Sequence, residues 1–304
     1  MCFVRIAFLT CEALPALWED DRLAAEELRR RGHAVEPLVW RRATLGALNE
    51  FDTVVVRNPW DWFHHRESFR SFLTLLTHTR ARVLNPPQMC IDFADKTYLP
   101  KLAARGVSVV PTVELSPEEL QTQLTSLLSA RGWSRAVIKP AFTANSVGAQ
   151  VFDLSELTPV LERARTVTLA AGEKWLVQPF IASIADGELS FVFYGGTFSH
   201  AVRKKPRAGD WRVQHDYGGV SAPFVPSAEH LAEATAILEG AAPGSTYARV
   251  DAVEWNGRLH LMELEVVEPE LFFRHHPDAP ARFADAVLRP RAPAPPASTP
   301  AHPA

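Results

Sequence analysis

The stretch YARVDAVEWNGRLHLMELEVV, residues 247–267, decides the fold, because it holds two alternating apolar runs that meet at an Asn-Gly pair. Asn-Gly between two such runs is a strong signal for a β-hairpin with a tight turn. A second pair of runs, GELSFVFYGG and TFSHAVRKK over residues 187–205, meets at a Gly-Gly pair. The sequence therefore predicts two antiparallel hairpins, with a helix over residues 227–239 between them.

Three carboxylates stand out on the last hairpin. Asp251 lies on its first strand, and Glu263 and Glu265 are two residues apart on its second, so the two glutamates share a face. Acids on one face of a sheet repel one another unless a cation lies between them, and oxygen ligands of this kind suit Mg²⁺. The sequence predicts a metal site here. The alternative is a solvated charged face, although the flanking residues are strongly apolar.

The first part of the chain alternates strands and helices. FVRIAFLT, AVEPLVW and DTVVVRNP are predicted strands, with helices over residues 19–31 and 66–79. Ligands of a parallel sheet collect at the carboxyl ends of its strands. We therefore expect substrate contacts at the end of DTVVVRNP, the alternative being a structured turn with a buried tryptophan; the candidates are Arg57, Asn58, Trp60 and Asp61.

The middle of the chain combines further helices and strands. A helix near residues 95–105 precedes the strand VVPTVEL, and Ser116 with Glu119 forms a capping box for the next helix. The strands AVIKPA, AQVFDL and WLVQPFI follow. Lys139 ends the strand VIKP, and the small-residue loop TANSVGA after it can bring backbone amides close to phosphate oxygens. This combination indicates an anion-binding site.

The composition narrows the class of protein. The 304 residues are 47% hydrophobic and 22% charged with a formal charge of -3, which is typical of a globular chain of one to three domains. The charges are interspersed, so no basic face indicates nucleic acid or an anionic membrane. The three cysteines lack the spacing of a zinc or redox site, and no apolar run approaches the ~20 residues that span a bilayer. We expect a cytoplasmic protein that acts on a small molecule.

Taken in order, these pieces resemble the ATP-grasp superfamily. The helix before ARGVSVVPT, then VIKP, SVGA, the VQPFI hinge with GE, YARVD and ELEVVEP follow the family's order. The resemblance implies an α/β ATP-grasp fold with an N-terminal α/β domain. The expected parts are an N-terminal substrate-side domain at 1–90, a central lobe at 91–182, a C-terminal lobe with the metal site at 183–290, and a disordered Pro/Ala-rich tail at 291–304.

The resemblance also implies a role for each candidate residue. Arg249 would stabilise the charge at an acyl phosphate, while Lys204 and Arg212 of the loop GDWRVQHDYGG would close over the transferred phosphate or the substrate carboxylate. Two magnesium ions would be held by Asp251, Glu263 and Glu265. Lysines would bind the phosphates of ATP, the hinge would contact the adenine and an acid would bind the ribose hydroxyls. The residues of this set are Lys101, Lys139, Ser146, Gly148, Gln178, Pro179, Phe180, Ile181 and Glu188.

The chain departs from the family pattern at two of these positions. The third metal ligand is usually asparagine and is Glu265 here. An acid that usually faces the adenine amino group is replaced by Gln178, whose carbonyl oxygen can accept the same hydrogen bond. Both changes leave the implied chemistry possible.

The implied activity is that of a carboxylate-amine ligase acting on a small-molecule carboxylate through an acyl phosphate. The GDWRVQHDYGG loop resembles that of bacterial glutathione synthetases and of the ligases that add glutamates to a ribosomal protein. VRNPWDW, SHAVRKKP and MELEVVEPELFF resemble the cyclo-ligases that close O-ureido-D-serine to D-cycloserine, and also a broader group of small bacterial ATP-grasp proteins. The alternatives are an intermolecular amino-acid or peptide ligase and a nucleotide-binding regulatory protein. Family members are often dimers or tetramers, so the chain could form a homo-oligomer.

Overall fold

The computed structural model describes residues 3–290. The predicted tail at 291–304 lies outside these residues. The described residues form three β-sheets with helices packed against them, so the α/β fold class predicted from the sequence is confirmed. No helix among these residues is long and apolar enough to cross a membrane.

The first sheet is parallel and lies in the N-terminal part of the chain. Its strands are β1 (Arg5–Thr10), β2 (Ala34–Val39), β3 (Thr53–Asn58) and β4 (Arg82–Leu84), in the spatial order β2-β1-β3-β4. The β3 strand is buried along its whole length, which explains why its sequence is a continuous apolar run rather than an alternating one. The helices of this region are α1 (Glu19–Arg30), α2 (Leu45–Leu48) and α3 (Arg66–Leu76).

The second sheet is antiparallel and lies in the middle of the chain. Its strands are β5 (Val113–Leu115), β6 (Arg135–Pro140), β7 (Gln150–Asp153) and β8 (Trp175–Pro179), in the order β5-β8-β6-β7. The helices are α4 (Pro87–Ala94), α5 (Tyr98–Ala104), α6 (Pro117–Arg131) and α7 (Leu157–Thr166). The capping box of Ser116 and Glu119 at the start of α6 is confirmed.

The helix expected near residues 95–105 is confirmed as α5, and the chain leaves helical geometry between α4 and α5. Asp95 has an extended backbone conformation, and its carboxylate accepts a hydrogen bond from the backbone N–H of Thr97 at 3.0 Å. A carboxylate that bonds its own backbone two residues on offers the chain a turn in place of a helix. This break determines which lysine of the region reaches the site described below.

The third sheet contains both predicted hairpins. Its strands are β9 (Glu188–Tyr194), β10 (Thr197–Lys205), β11 (Val220–Phe224), β12 (Tyr247–Trp255) and β13 (Arg258–Glu265), in the order β11-β10-β9-β12-β13. The helices are α8 (Ala228–Ala241) and α9 (Ala279–Leu288). The helix predicted between the hairpins is therefore confirmed.

The last helix returns to the first sheet. The Phe283 ring on α9 meets the Phe8 ring on β1 edge to face, with centroids 6.3 Å apart. On the neighbouring helix, Arg31 at the end of α1 donates to the Asp285 carboxylate at 2.5 Å. Residues far apart in the chain therefore share one core with the N-terminal strands, which brings the segment before α9 next to the end of β3.

Candidate active site

A cavity of about 570 Å³ is lined by residues of the second and third sheets and by the connections that follow β1 and β3. Its polar wall comes from β9, β10, β12 and β13, and its apolar wall includes Trp18, Trp60, Trp62 and Phe93. Concave sites with an apolar lining and a few converging polar groups are typical small-molecule sites.

The centre of the polar wall is a buried ion-pair cluster. Arg249 donates to both carboxylate oxygens of Asp251, from Nε at 2.9 Å and from Nη2 at 2.8 Å. Asp251 also accepts from Lys204 Nζ at 3.0 Å and from the Ser190 hydroxyl at 2.5 Å. Lys204 in turn contacts the carboxylate of Glu188. Strand pairing creates this cluster, because β9, β10 and β12 are adjacent and present these side chains to one face.

The electrostatics of the cluster follow from its burial. Burial alone raises the pKa of Asp251, but Arg249 and Lys204 outweigh it and hold that pKa below its usual range. Burial lowers the pKa of Lys204, and the Asp251 and Glu188 carboxylates reverse the shift and raise it. Asp251 and Lys204 therefore stay charged at neutral pH.

A pair of lysines lies beside this cluster. Lys96, in the link between α4 and α5, contacts Glu263 at 3.0 Å and donates to the Thr143 backbone carbonyl. Lys139, on β6, lines the same cavity and has no hydrogen-bond or ion-pair partner within residues 3–290. Burial lowers the pKa of Lys139, and the Glu263 carboxylate opposes that shift. An unpartnered ammonium in a cavity is suited to an anionic ligand such as a phosphate.

The three predicted metal ligands all line the cavity but differ in availability. Glu263 contacts Lys96, and Glu265 contacts Arg249, through one carboxylate oxygen each; the other oxygen of each has no partner in the described part of the chain. Burial, together with the charges of Glu263 and Asp251, raises the pKa of Glu265 well above its usual range, against the effect of Arg249. A divalent cation would relieve this repulsion, so Glu263 and Glu265 fit the oxygen chemistry of Mg²⁺.

In its present arrangement, Asp251 has no free carboxylate oxygen to offer a metal ion. Both of its oxygens are bonded by Arg249, and its side chain is 2% exposed. No group of three or more His, Cys, Asp or Glu side chains within residues 3–290 is arranged to hold a metal ion. In this arrangement Asp251 is the counter-ion of Arg249 and Lys204, and its metal role stays a prediction.

The predicted hinge lines the opposite wall through Gln178, Pro179, Phe180 and Ile181. The amide nitrogen of Gln178 donates to the Thr112 hydroxyl at 2.8 Å, which leaves the amide oxygen free to accept a hydrogen bond from a ligand.

Two loops meet at the mouth of the cavity. In the loop after β10, Arg212 pairs with Asp210 at 2.8 Å and lies over the Tyr217 ring, with the guanidinium carbon 3.7 Å from the ring centroid. The Tyr217 hydroxyl donates to the Asn145 backbone carbonyl at 3.1 Å, and the Asn145 side chain donates to Asp216 at 2.5 Å. The two loops are thus joined side by side, and both Ser146 and Arg212 line the cavity.

The chain is similar to known proteins in sequence and in fold. A family model described as the N-terminal domain of D-cycloserine synthetase DcsG matches residues 6–85. The chain is 28% identical over 281 residues to the cycloserine biosynthesis protein DcsG of Streptomyces lavendulae, which covers 86% of this chain and 90% of that protein. It matches the crystal structure of D-cycloserine synthetase DcsG with a TM-score of 0.83 at 27% identity, over 93% of this chain and 98% of the other.

A second solved structure, the RimK domain protein ATP-grasp from Sphaerobacter thermophilus, matches with a TM-score of 0.70 at 18% identity. The match covers 94% of this chain and 100% of that one. The chain has the fold of the ATP-grasp ligases. The ATP-grasp fold and the resemblance to ATP-grasp ligases that the sequence motifs predicted are thereby confirmed.

Some predicted site residues of the ligase lie outside the cavity. Lys101 is exposed on α5 and does not line the cavity, whereas Lys96 does. Gly148 has a φ of +77°, and a Cβ there would come within 2.9 Å of the Pro140 ring. Its role is to let the loop pack against β6. Neither Lys101 nor Gly148 lines the cavity, and their contacts with nucleotide stay a prediction.

Three of the four predicted substrate residues are also internal to the ligase. Arg57 is fully buried and pairs with Asp21 at 2.6 Å, and Asn58 donates to the same carboxylate at 2.8 Å. Asp61 accepts from the Trp40 indole at 2.6 Å. Trp60 lines the cavity. Arg57, Asn58 and Asp61 do not line the cavity, and the buried Trp62 next to them fits the alternative interpretation, a structured turn with a buried tryptophan.

These buried residues fix a segment that does reach the cavity. Three consecutive backbone carbonyls each accept a side-chain hydrogen bond: Trp60 Nε1 donates to Glu268 at 3.0 Å, Arg57 Nη2 to Pro269 at 2.7 Å, and Arg249 Nη1 to Glu270 at 2.9 Å. We call residues 268–270 the clamped segment. The N-terminal domain of the ligase thus contributes to the site by holding this segment in place.

Sequence reasoning missed two cavity residues of the ligase, Lys96 and Glu268. Lys96 stands in the tripeptide Ala-Asp-Lys, where an aspartate that breaks the helix was the available signal. Glu268 stands next to Pro269 at the end of an apolar run, and nothing in the periodicity separates it from an exposed loop acid.

Proposed function

We propose that this ligase uses ATP to activate the carboxylate of O-ureido-D-serine and closes the molecule to D-cycloserine. The observation that carries the ATP part is the meeting of Lys96 and Lys139 with Glu263 and Glu265 in one cavity. The likeness to the D-cycloserine synthetase structure over nearly the whole of both chains supports the choice of substrate.

ATP would lie with its phosphates on the lysine pair and its base at the hinge. Lys139 has no partner in the described chain, so it can neutralise phosphate oxygens without breaking an existing ion pair. The Gln178 amide oxygen would accept from the adenine amino group, because its nitrogen already donates to Thr112. Glu188, which contacts Lys204, is the acid proposed for the ribose hydroxyls.

Glu263 and Glu265 would hold Mg²⁺, since each has a carboxylate oxygen open to the cavity. The metal supplies positive charge that offsets the phosphate oxygens when the nucleotide is bound. Asp251 would keep Arg249 and Lys204 charged and in place beside it.

The chemistry that the residues support is phosphoryl transfer followed by ring closure. The substrate carboxylate attacks the γ-phosphorus, where positioning and fixed charge supply most of the catalysis. Arg249 and Lys204 place that charge beside the reacting carboxyl. The nitrogen attached to oxygen then attacks the acyl carbon, a C–N bond forms and phosphate leaves. Hydrolysis of the carbamoyl group gives ammonia and carbon dioxide, which completes the balance from O-ureido-D-serine to D-cycloserine.

The apolar walls and the joined loops are proposed to keep water from the acyl phosphate. Water would hydrolyse this intermediate and waste ATP, so a lid over the cavity is expected. The loop that carries Arg212 and Tyr217 is suited to that role because it contacts the loop after β6 across the mouth.

The test supplies the purified chain with Mg-ATP and O-ureido-D-serine as the sole organic substrate. We expect one ADP for each product molecule, and a product with the mass of cycloserine. Turnover that requires a second amine would favour an intermolecular ligase. ATP binding without ADP release on any carboxylate would favour a nucleotide-binding regulatory protein.

A further inference from the structure

We propose that Glu268 binds the attacking nitrogen of the substrate and accepts its proton during ring closure. This inference rests on the proposed function. It assigns a catalytic role to a residue that neither the nucleotide nor the metal requires.

The Glu268 side chain is held at the wall of the cavity with one oxygen engaged. Its Oε1 accepts from the Trp62 indole at 2.6 Å, and its backbone carbonyl accepts from the Trp60 indole at 3.0 Å. Its Oε2 has no hydrogen-bond or ion-pair partner within residues 3–290, and the side chain is partly exposed to the cavity. The residue therefore offers an oriented acceptor to a bound molecule.

The clamped segment places this acceptor close to the ion-pair cluster. Two residues after Glu268, the Glu270 carbonyl accepts from Arg249, and between them Pro269 is held by Arg57. A base that is fixed by its backbone and by its own side chain loses little further freedom when the substrate binds. The segment thus joins the proton acceptor to the arginine proposed to stabilise the acyl end.

Glu268 differs from the other partly or fully buried glutamates of the cavity in lacking a cationic partner. Glu188 contacts Lys204, Glu263 contacts Lys96, Glu265 contacts Arg249 and Glu270 contacts Arg274. In each of these pairs a cation occupies one carboxylate oxygen. Glu268 is bonded by a neutral indole instead, so its second oxygen can take up a proton without breaking an ion pair.

The surroundings of Glu268 shift the pKa of its carboxyl group. Burial raises its pKa to about 7, while the Trp62 hydrogen bond and the Lys96 charge act against that rise and the Glu263 charge adds to it. The charged groups that face it are Lys96 before α5, Glu263 and Glu265 on β13 and Arg249 on β12, and the Cys90 thiol of α4 is also near. A base with a pKa near the working pH is the most effective one.

The chemistry of the nucleophile requires such a base. The nitrogen lies between an oxygen and a carbamoyl carbon, so its lone pair is delocalised and it attacks well only as its N–H proton leaves. In the proposed step the N–C bond forms, the bond from the acyl carbon to the phosphate oxygen breaks, and phosphate leaves with that electron pair. The N–H proton moves to Oε2 of Glu268 and is released to water when the product leaves.

The test compares Glu268→Gln with the wild-type chain in two assays on O-ureido-D-serine with Mg-ATP. Cycloserine formation should fall by about 100-fold, the usual lower range for loss of a general base. Trapping of the acyl phosphate by hydroxylamine should stay within threefold of the wild-type rate, because that nucleophile needs no help from Glu268. Glu254→Gln, an exposed acid of β12, should behave as wild type in both assays.

A second variant keeps the proposal testable if Glu268→Gln fails to fold. Trp62→Phe removes the hydrogen bond that lowers the Glu268 pKa, so the rising limb of the pH profile of kcat should move to higher pH. An unchanged limb would overturn the proposal, as would normal cycloserine formation or equal losses in both assays of Glu268→Gln. Absence of cycloserine from the wild-type chain would overturn the proposed function and this role together, which distinguishes that failure from a failure of Glu268 alone.

Discussion

Arg249 and Asp251 lie two residues apart on one face of β12, and the guanidinium of the first donates to both carboxylate oxygens of the second, at 2.9 and 2.8 Å. Residues i and i+2 of a strand share a face, so the pairing is a direct result of strand geometry. Because both side chains are buried, their charges compensate each other. The centre of the site therefore retains its arrangement without any bound molecule.

Substitution Asp251→Asn should remove that compensation. Loss of one member of a buried ion pair typically costs about 3–5 kcal/mol, because the remaining charge is left buried and unpaired. We expect a lower Tm and at least a hundredfold loss of ADP release, measured by thermal melting and a coupled assay. Glu254→Gln, at an exposed position of the same strand, is the control and should change neither quantity. Wild-type turnover in Asp251→Asn would contradict the importance of the cluster.

Substitution Lys96→Met should weaken ATP binding far more than Lys101→Met. The Lys96 ammonium lines the cavity, whereas Lys101 is exposed on α5. Loss of one phosphate contact that is worth about 1.4 kcal/mol raises Kd tenfold. Calorimetric titration with ATP should give this increase for Lys96→Met and an unchanged Kd for Lys101→Met. The reverse order would restore the role that the sequence implied for Lys101.

Substitution Tyr217→Phe should uncouple ATP use from product formation. It removes the hydrogen bond to the Asn145 carbonyl that joins the two loops at the mouth of the cavity. Water would then reach the acyl phosphate more easily. The ratio of ADP to product should rise above one while the Tm stays within a few degrees of wild type. A ratio that stays at one would show that the joined loops do not protect the intermediate.

The buried His200 should make the fold less stable in acid. Burial lowers its pKa from 6.5 to about 4, and its Nε2 lies 3.0 Å from the Leu271 carbonyl. Between these two pH values the unfolded chain binds the proton and the folded chain does not, so stability is lost as the pH falls through this window. The loss should approach about 3 kcal/mol in denaturant titrations at pH 4 compared with pH 7. His200→Gln should flatten this dependence, whereas His78→Gln, an exposed control, should retain it.

The sequence predicts the strands and hairpins of this chain well because their signals are local. The apolar runs of β12 and β13 and the Asn-Gly turn are contained in a few adjacent residues, and the structure confirms the hairpin. The carboxylates of β13 are predicted for the same reason, since Glu263 and Glu265 are two positions apart with one residue between them. Periodicity of two is enough to place them on one face.

The errors concern pairings between distant residues. Arg57 seemed free to contact substrate because its partner, Asp21, lies 36 residues away in the chain. Lys96 and Lys101 are close together in the sequence, and only Lys96, next to the extended Asp95, lines the cavity. Glu268 was missed because its environment is made by Trp60 and Trp62, which lie 208 and 206 residues away from it in the chain. Sequence patterns do not contain such contacts.

The clamped segment also has a consequence for building hybrid enzymes. Its carbonyls are held by Trp60 and Arg57, and helix α9 beyond it packs against the first sheet. An exchange of N-terminal domains cut near residue 90 would leave these donors facing a foreign partner. We expect that a hybrid which keeps these contacts must exchange residues 3–85 and 268–288 together, two segments that are far apart in the chain.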